Sequence, residues 1–359
     1  MLCRRCSLGV AAIAVTAVVV LAGCGKPSLP TAGGTSVTLT GAGASFPYPL
    51  YSKWIAEYAK VAPQVRINYQ SIGSGGGIQQ LKAGTVDFGA SDAPLSDDEM
   101  KAMPRPVVHI PATAGAVAVV YNLPFLKETL RLTGPVLSAI FLGQITRWND
   151  RRIADVNPGV GLPESAIAVT HRSDGSGTTY LFTSYLAAVS RDWAQKVGAG
   201  KSVSWPVGIG AKGNEGVASM VRQTPGAVGY VELAYAEGSD LSHAYLQNAA
   251  GSFVPPSAPG VTAAASGAAD SMGEDVRVSI VNASGGDAYP ISGFTYLLVY
   301  REQKDAAKGK ALVAFLDWAI HQGQVFAEPL SYAALPSAVV KLDEAALESI
   351  QSTGASSEK

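Results

Sequence analysis

The sequence predicts an α/β fold built on a largely parallel sheet. Residues 65–70 (Val-Arg-Ile-Asn-Tyr-Gln) alternate apolar and polar side chains, which is typical of a strand. Just before them, Leu50, Trp54, Tyr58 and Val61 recur at helical spacing. Residues 49–60 are therefore predicted to form a helix with one buried face. Because strand and helix patterns alternate in this way along the chain, helices are expected to cover a sheet of mainly parallel strands.

The remaining elements follow the same two patterns. Further strands are predicted at residues 37–40, 86–90, 114–120, 167–170 and 294–300. Further helices are predicted at residues 78–82, 135–148 (where a turn follows the helix), 179–189 and 311–320. Residues 238–285 are rich in Ala, Gly and Ser and show weak periodicity, so no element is predicted there. The tryptophans expected to pack in the interior include Trp148, Trp193 and Trp205.

Composition and charge exclude two classes of protein. The 359 residues are 47% hydrophobic and only 15% charged, and the formal net charge is −1. A disordered chain would carry more charge and less apolar surface, and a nucleic-acid binder needs a basic face. The length is sufficient for about two domains with substantial cores. The chain is therefore expected to be globular and not to bind nucleic acid.

The sequence also lacks the motifs of common enzymes. No candidate serine lies in G-x-S-x-G, and the four histidines show neither metal-ligand spacing nor H-E-x-x-H. The run Gly-Ile-Gly-Ala-Lys-Gly at residues 208–213 lacks the final Gly-Lys-Ser/Thr order of a nucleotide-binding loop. We therefore expect no enzymatic activity, no cofactor and no metal.

The N-terminus has the pattern of an export signal. A short basic start precedes an apolar run over residues 8–21, which is shorter than the roughly 20 residues that a membrane-spanning helix needs. The run ends in Leu-Ala-Gly followed by Cys24, which resembles the lipobox of bacterial lipoproteins, where this cysteine is acylated. An ordinary signal peptide with an incidental cysteine is the alternative. Residues 1–23 are predicted to be the signal peptide and residues 24–37 a flexible tether.

Three glycine-rich loops each connect a predicted strand to a predicted helix. They span residues 40–46 (TGAGASF), 72–77 (IGSGGG) and 172–178 (RSDGSGT). A helix N-terminus has unpaired N–H groups and a partial positive charge, so it attracts anions. Glycine lets a ligand approach the backbone closely, and the guanidinium of Arg172 suits a tetrahedral anion. Together the loops predict an oxyanion-binding site.

Each loop alone has a simpler explanation. Serine and threonine are favoured at helix N-caps for local reasons. Ser45, Ser74 and Ser176 could therefore each do no more than cap a helix. The repetition of the loop and the presence of Arg172 favour the oxyanion site, while the capping alternative stays open for each serine.

Several strings of the sequence carry a family resemblance. TGAGASFPYPLYSKW, NYQSIGSGGGIQQLKAGTVDFGASDAPLS and FLGQITRWND with HRSDGSGTTYLFTSYL resemble the periplasmic phosphate-binding proteins of phosphate ABC transporters, the PstS family. WPVGIGAKGNEGV and PGAVGYVELAYA extend the match, which covers most of residues 38–340 and is weaker over residues 238–285. The resemblance implies a two-lobed α/β fold like that of type II periplasmic binding proteins, with phosphate in the cleft between the lobes.

The resemblance also implies the ligand residues. The family's phosphate-binding positions fall on Ser45 (side chain), Phe46 (backbone N–H), Ser74, Asp92, Arg172, Ser176, Gly177 and Thr178. Asp174 corresponds to the acidic residue that pairs with the arginine. Ser45 stands where many members have Thr, which keeps the hydroxyl. His171 replaces another basic residue and is expected to be peripheral.

Asp92 is an unexpected residue for an anion site. A buried carboxylate beside a dianion is repulsive unless a proton lies between them. Monohydrogen phosphate carries a hydroxyl that can donate to Asp92, whereas sulfate carries no proton. We therefore hypothesise that Asp92 excludes sulfate, and a structural aspartate that caps a loop is the alternative.

The two implied lobes can be placed on the sequence. The first is predicted to comprise residues 38–113 and 288–348, and the second residues 114–287. The chain crossings near Pro111 and Pro290 are expected to act as the hinge. A C-terminal tail is expected at residues 349–359.

The resemblance finally implies partners and a location. The expected partners are inorganic phosphate, the permease and ATPase subunits of a phosphate ABC transporter, and the membrane through lipidated Cys24. The chain is expected to be an exported monomer that faces the periplasm or the cell exterior. Two alternatives stay open: a surface adhesion or phosphate-sensing lipoprotein without transport, and a receptor for another tetrahedral oxyanion, against which Asp92 argues.

Overall fold

The computed structural model describes residues 36–273 and 275–352. The predicted signal peptide, Cys24, most of the predicted tether and residues 353–359 of the predicted tail lie outside these ranges. Within them, none of the helices has the length and apolar character required to cross a membrane.

The strands follow the chain in fourteen segments within the described ranges. They are β1 (Val37–Gly43), β2 (Val65–Ser71), β3 (Phe88–Ser91), β4 (Val107–Tyr121), β5 (Arg131–Leu132), β6 (Ala168–Arg172), β7 (Ile209–Ala211), β8 (Ala227–Glu232), β9 (Ser242–His243), β10 (Tyr245–Gln247), β11 (Phe253–Val254), β12 (Ser292–Tyr300), β13 (Glu302–Gln303) and β14 (Gln351–Ser352). All six predicted strands overlap one of these. β4 begins well before its predicted start, because His109 and Pro111 interrupt the apolar run that marks it.

The α-helices lie mainly between these strands. They are α1 (Tyr48–Val61), α2 (Ser74–Ala83), α3 (Asp97–Lys101), α4 (Gly134–Phe141), α5 (Arg151–Ala154), α6 (Gly177–Val189), α7 (Arg191–Lys196), α8 (Gly213–Gln223), α9 (Leu233–Gly238), α10 (Ala258–Ala265), α11 (Ala268–Ser271), α12 (Ala306–Ile320) and α13 (Ser337–Glu348). Two 3₁₀ helices follow α12, at Gln322–Phe326 and Glu328–Leu330. Every predicted helix overlaps one of the α-helices.

One long strand divides the main sheet into two halves. The strand order is β2-β1-β3-β12-β4-β8-β6-β7. β4 pairs with β12 as far as Ala116 and with β8 from Val117 onward. We call β2, β1, β3, β12 and the start of β4 the first half-sheet, and the end of β4 with β8, β6 and β7 the second half-sheet. Each half-sheet carries its own helices, α2 and α12 on the first and α8 on the second.

The sheet is mixed, so the prediction of a largely parallel sheet holds only for its outer strands. β1 is parallel to β2 and β3, and β6 is parallel to β7 and β8. β12 is antiparallel to β3 and β4, and β4 is antiparallel to β8. The antiparallel pairs are those made by the two central strands, whose fully buried sequences do not reveal their direction.

The half-sheets meet close to one of the two prolines expected at the hinge. Pro111 lies inside the part of β4 that pairs with β12, ahead of the change of partner after Ala116. At that change, the Val117 N–H donates to the Ile291 carbonyl at 2.8 Å. Ile291 directly follows Pro290, so this bond joins the change of partner in β4 to the segment that leads into β12.

The weakly periodic region at residues 238–285 contains short strands and helices. β9 pairs with β4, and β10 pairs with β5 and β11. The end of the 238–285 region lies against the first half-sheet. Arg277 Nη1 donates to the Leu95 carbonyl at 2.7 Å, and Tyr296 on β12 donates to the Val276 carbonyl at 3.3 Å. At the C-terminus, β14 pairs with β13 in parallel, so the predicted tail begins as a strand.

The interior is filled mainly by aliphatic and aromatic side chains. Trp148 and Trp193 are fully buried, as predicted. Trp205 is partly exposed and stacks on Tyr230, with ring centroids 5.8 Å apart. Burial of large aromatic rings contributes most to such cores, so these tryptophans act in packing.

Candidate functional site

Four strand–loop–helix connections meet between the half-sheets. They are β1 to α1, β2 to α2, β6 to α6 and β7 to α8. The first three contain the glycine loops recognised in the sequence. The backbones of two loops are in direct contact, because the Gly75 N–H donates to the Gly175 carbonyl at 2.8 Å. A Cβ atom on either glycine would lie 3.1 Å from the other Cα, so any side chain here would have to displace the neighbouring backbone by a few tenths of an ångström.

Ser74 connects the two half-sheets within the site. Its Oγ accepts the Gly177 N–H of α6 at 3.0 Å and the Asp92 N–H at 3.4 Å. Ser74 is completely buried. Both bonds use the oxygen as acceptor, and the Ser74 side chain also bonds the Asp92 carboxyl, which acts to lower the pKa of that group.

Arg172 is held by its predicted partner. Asp174 Oδ1 accepts Arg172 Nε at 2.7 Å, and Asp174 Oδ2 accepts Nη2, so the pair is bidentate. This leaves Nη1, which lies 3.4 Å from Thr178 Oγ1. The Arg172 side chain is 1% exposed. Partial burial acts to raise the pKa of Asp174. The bonds from Arg172 and the Gly213 N–H outweigh burial and hold this pKa below its usual range.

His171 lies beside the site, as expected for a peripheral residue. Its ring stacks on Trp205, with centroids 4.7 Å apart, and its Nδ1 lies 3.0 Å from the Arg172 carbonyl. Both contacts are made within the second half-sheet. His171 therefore supports the backbone of Arg172 and does not join the polar cluster.

The capping alternative is correct for one serine of the three. Ser176 is the N-cap of α6, and its Oγ accepts the Thr179 N–H at 3.1 Å. The N-cap of α1 is Pro47 and that of α2 is Gly73, so neither Ser45 nor Ser74 caps its helix with the side chain. Both hydroxyls are instead bonded to the opposite half-sheet, Ser74 to the Gly177 N–H and Ser45 to Asn214.

Sequence reasoning missed Asn214, which lies at the start of α8. Its Nδ2 donates to Ser45 Oγ at 2.9 Å and to Thr178 Oγ1 at 3.3 Å. Its Oδ1 accepts the Glu232 N–H at 3.0 Å. Asn214 is completely buried and thus joins the hydroxyls of both half-sheets. The signal that could have found it is the glycine run at residues 208–213, a fourth loop of the same type.

Asp92 is buried with little compensation for its charge. Its Oδ1 accepts Thr295 Oγ1 at 2.8 Å, and only 2% of the residue is exposed. Burial raises the pKa of Asp92 to about 7, although the Thr295 hydroxyl and the charge of Arg172 act in the opposite direction. The carboxyl group is therefore poised between its neutral and charged forms near neutral pH.

A second set of polar groups lies behind the 40–46 loop. Tyr235 donates to the Ser45 carbonyl at 2.6 Å, and Tyr332 donates to the Phe46 carbonyl at 2.7 Å. Tyr332 also lies 2.9 Å from Glu232 Oε2. Glu232 is completely buried, and burial together with the nearby charge of Asp92 raises its pKa well above the usual range.

The arrangement suits a small oxyanion. Helix starts, neutral hydroxyls and one guanidinium stabilise negative charge without requiring a metal. Within residues 36–273 and 275–352, no cluster of His, Cys, Asp and Glu side chains could hold a metal ion. Direct bonds or contacts join Ser74, Asp92 and Gly177 to one another, and Arg172 to Thr178. Ser45 is joined to Thr178 through Asn214.

Known proteins share both the sequence and the fold. Residues 29–322 match the family model of the PBP superfamily domain. The phosphate-binding protein PstS of Xylella fastidiosa is 51% identical over 311 residues, covering 86% of this chain and 85% of the relative. PstS of Pasteurella multocida is 47% identical over 305 residues, covering 85% of this chain and 88% of the relative.

The fold expected from the resemblance is confirmed. A solved phosphate-binding protein from Stenotrophomonas maltophilia superposes with a TM-score of 0.67 at 20% identity, covering 86% of this chain and 93% of that one. With the family match, this establishes the two-lobed fold of type II periplasmic binding proteins. The chain belongs to the PBP superfamily and, within it, to the family of phosphate-binding proteins named PstS.

Proposed function

We propose that this chain captures inorganic phosphate outside the cytoplasm and delivers it to the permease of an ABC transporter. The observation that carries this proposal is the buried cluster in which Arg172, Thr178 and Ser45 face one another through Asn214. The names of the relatives point to the same ligand. The family is one of solute-binding proteins, which confirms the expectation that the chain is not an enzyme.

The proposed phosphate ligands come from both half-sheets. They are the hydroxyl of Ser45, the N–H of Phe46, Ser74, Asp92, Arg172, Ser176, Gly177 and Thr178, with Asp174 orienting the guanidinium. Ser176 keeps a hydroxyl hydrogen to donate while its oxygen caps α6. A micromolar dissociation constant requires about 8 kcal/mol, which a set of neutral and charge-assisted hydrogen bonds in a dehydrated cleft can supply.

Asp92 would select among tetrahedral anions. Its ionised carboxylate accepts the proton of monohydrogen phosphate, and sulfate offers none. A site that loses a buried partner in this way can discriminate by roughly 10⁴ to 10⁵. Burial raises the pKa of Asp92 because the buried carboxylate has lost its hydration. A hydrogen bond from a phosphate hydroxyl would stabilise this carboxylate, which fits the proposed role.

Binding would close two lobes around the ligand. The first lobe is proposed to comprise residues 38–113 and 288–348, and the second residues 114–287. Contacts such as Gly75 to Gly175 and Ser74 to Gly177 join the two half-sheets and would be lost on opening. A ligand that forms bonds with both lobes shifts the equilibrium toward the closed form, which the permease would recognise.

The chain is further proposed to be a monomer that is anchored to the membrane by acylated Cys24. The sequence pattern before Cys24 supports this proposal. Two or more acyl chains give stable anchoring, whereas a single chain is only marginal. The proposed test is mass spectrometry of the N-terminal peptide from membranes, in which unmodified Cys24 would contradict it.

Calorimetric titration tests the ligand. Protein lacking residues 1–24 should bind phosphate, and it should bind arsenate, which has the same shape and carries a proton. Sulfate should fail to compete near pH 8. Absence of phosphate binding would contradict the proposed function. Binding of sulfate with the same affinity as phosphate would contradict only the proposed selectivity of Asp92.

Growth of a deletion strain tests the transport role. Loss of growth on limiting phosphate, restored by the wild-type gene and not by an Arg172→Ala variant, is expected. Normal growth of the deletion strain, in a cell without a second phosphate receptor, would instead favour adhesion or sensing.

A further inference from the structure

A hydrogen bond between Tyr235 and Ser45 joins the two half-sheets next to the site. Tyr235 lies on α9, which directly follows β8 of the second half-sheet, and Ser45 follows β1 of the first. The Tyr235 hydroxyl donates to the Ser45 backbone carbonyl at 2.6 Å. Its hydrogen bond to the 40–46 loop is made to the Ser45 carbonyl, and Tyr235 is not one of the proposed phosphate ligands.

The peptide group between Ser45 and Phe46 links this bond to the site. The described residues contain no cis peptide bond, and in a planar trans peptide the carbonyl and the N–H point in opposite directions. Holding the Ser45 carbonyl toward α9 therefore turns the Phe46 N–H away from α9.

That N–H has no partner within the described part of the chain. Phe46 is completely buried, yet no acceptor in residues 36–273 or 275–352 takes its N–H. Buried backbone N–H groups are almost always paired. The Phe46 N–H is therefore oriented for an acceptor that the chain itself does not provide, which is the position proposed for a phosphate oxygen.

Other bonds hold the same loop less directly. The Tyr48 N–H also donates to the Ser45 carbonyl, at the longer distance of 3.2 Å. Tyr332 holds the next carbonyl, that of Phe46. The local bond to Tyr48 belongs to the turn that starts α1 and persists whether the lobes are open or closed. The bond from Tyr235 is the shorter of the two on Ser45 and needs both half-sheets together.

We propose that Tyr235 is a positioning residue for phosphate: when the lobes close, its hydroxyl takes the Ser45 carbonyl and sets the Phe46 N–H toward the anion. This inference rests on the proposed function. A hydrogen bond on a carbonyl also polarises the peptide, which strengthens the N–H on its other side as a donor.

The tyrosine can keep this role over the whole working range of pH. Burial, with the nearby carboxyl groups of Glu215 and Glu232, raises the pKa of Tyr235 far above its usual range. The hydroxyl therefore stays protonated and remains a donor.

Tyr235→Phe removes the hydroxyl and leaves the ring. In the full chain, we expect phosphate to bind roughly 3- to 10-fold more weakly, which corresponds to the loss of one net hydrogen bond. Tyr300→Phe is the matched control, because the Tyr300 hydroxyl also donates to a buried carbonyl, that of Leu81 at 2.8 Å, away from the site. Its phosphate affinity should equal that of the wild type.

A spectroscopic measurement separates positioning from a structural effect. The chain contains two Ser–Phe pairs, at residues 45–46 and 252–253, so ¹³C-carbonyl serine with ¹⁵N-phenylalanine yields two linked amide signals. In the wild type, phosphate should shift the Phe46 amide and the Ser45 carbonyl together. In Tyr235→Phe at saturating phosphate, both shifts should be smaller, while the Phe253 signal stays fixed.

The outcomes distinguish this inference from the function on which it rests. Wild-type affinity and full shifts in Tyr235→Phe would overturn the positioning role and leave phosphate binding intact. A Ser45 carbonyl signal that does not move when the wild type binds phosphate would also overturn it, even if the variant fails to fold. No binding of phosphate by the wild type would overturn both.

Discussion

Gly177 and Asp92 are so close that a methyl group does not fit between them. A Cβ atom on Gly177 would lie 2.4 Å from Asp92 Oδ2 and 2.5 Å from Asp92 Cβ. Gly177 begins α6 of the second half-sheet, and Asp92 follows β3 of the first. The contact therefore measures how closely the two lobes approach around the site.

Gly177→Ala should weaken phosphate binding by at least about fivefold, because overpacking of this kind costs about 1–3 kcal/mol in the closed form. Titration calorimetry checks the affinity. Thermal unfolding without ligand should change little, since alanine suits the first turn of a helix. Gly161→Ala is the control, because nothing lies within 4 Å of a Cβ there. Unchanged affinity in Gly177→Ala would show that binding does not need this approach.

Sulfate affinity should depend on the protonation of Asp92. Burial raises the pKa of this carboxyl to about 7. Well below that pH the neutral acid can donate to sulfate, and above it the carboxylate repels sulfate. Wild-type affinity for sulfate should therefore rise as the pH falls from 8 to 5.5.

The Asp92→Asn variant provides the comparison for that titration. Its side chain cannot ionise, so sulfate should bind at all these pH values and phosphate binding should stay within about 1–2 kcal/mol of the wild type. Competition calorimetry at both pH values measures these quantities. Exclusion of sulfate by the variant at pH 8 would end the selection hypothesis.

Arg172 should be irreplaceable, even by lysine. Arg172→Ala should weaken phosphate binding by at least about 30-fold, since loss of one partner of a buried charge pair costs about 2–5 kcal/mol. Arg172→Lys should recover little, because an ammonium group cannot bond Asp174 through two nitrogens and face the site with a third. Calorimetry gives the affinities.

An exposed pair on α5 supplies the matched control for Arg172. Arg152 also forms a two-nitrogen bond to an aspartate two residues away, Asp150, but lies at the surface. Arg152→Lys should leave phosphate affinity unchanged. A wild-type affinity in Arg172→Lys would show that charge alone, without the planar fork, suffices.

Local signals explain why much of the site could be predicted. A glycine loop between a strand and a helix is marked by consecutive residues, so the surroundings of Ser45, Ser74 and Arg172 can be recognised without knowing the fold. The approach of Gly75 to Gly175 follows from the same loops. Residue roles such as that of Asp92 came from the family resemblance.

The missed residues depend on contacts that only the tertiary structure creates. Asn214 follows a strand of three residues whose first two are exposed, so no strand pattern marks its loop. Thr295 sits in a continuous apolar strand, and its hydroxyl reaches Asp92 from a distant part of the chain. Likewise, the direction of β4 and β12 cannot be read from strands that are buried on both faces.

An ion pair at the rim of the cleft leads to a prediction about release. Lys201 Nζ lies 2.7 Å from Glu99 Oε1, and their side chains are 22% and 32% exposed. Glu99 lies on α3 beside the first half-sheet, while the Lys201 carbonyl accepts the Ser176 N–H at the start of α6. The pair therefore links the 172–178 loop, proposed to bind phosphate, to α3 on the opposite side of the cleft.

Lys201→Met should speed phosphate release by about 2- to 5-fold at low salt, because a partly exposed pair contributes about 0.2–1 kcal/mol. Salt screens such pairs, so high salt should speed release from the wild type and have little effect on the variant. Stopped-flow chase experiments measure both rates.

Lys196→Met, which removes an exposed pair within α7, should behave as the wild type. Equal release rates for Lys201→Met and the wild type at low salt would mean that the rim pair forms without stabilising closure, and that the bonds inside the cleft alone hold the lobes together.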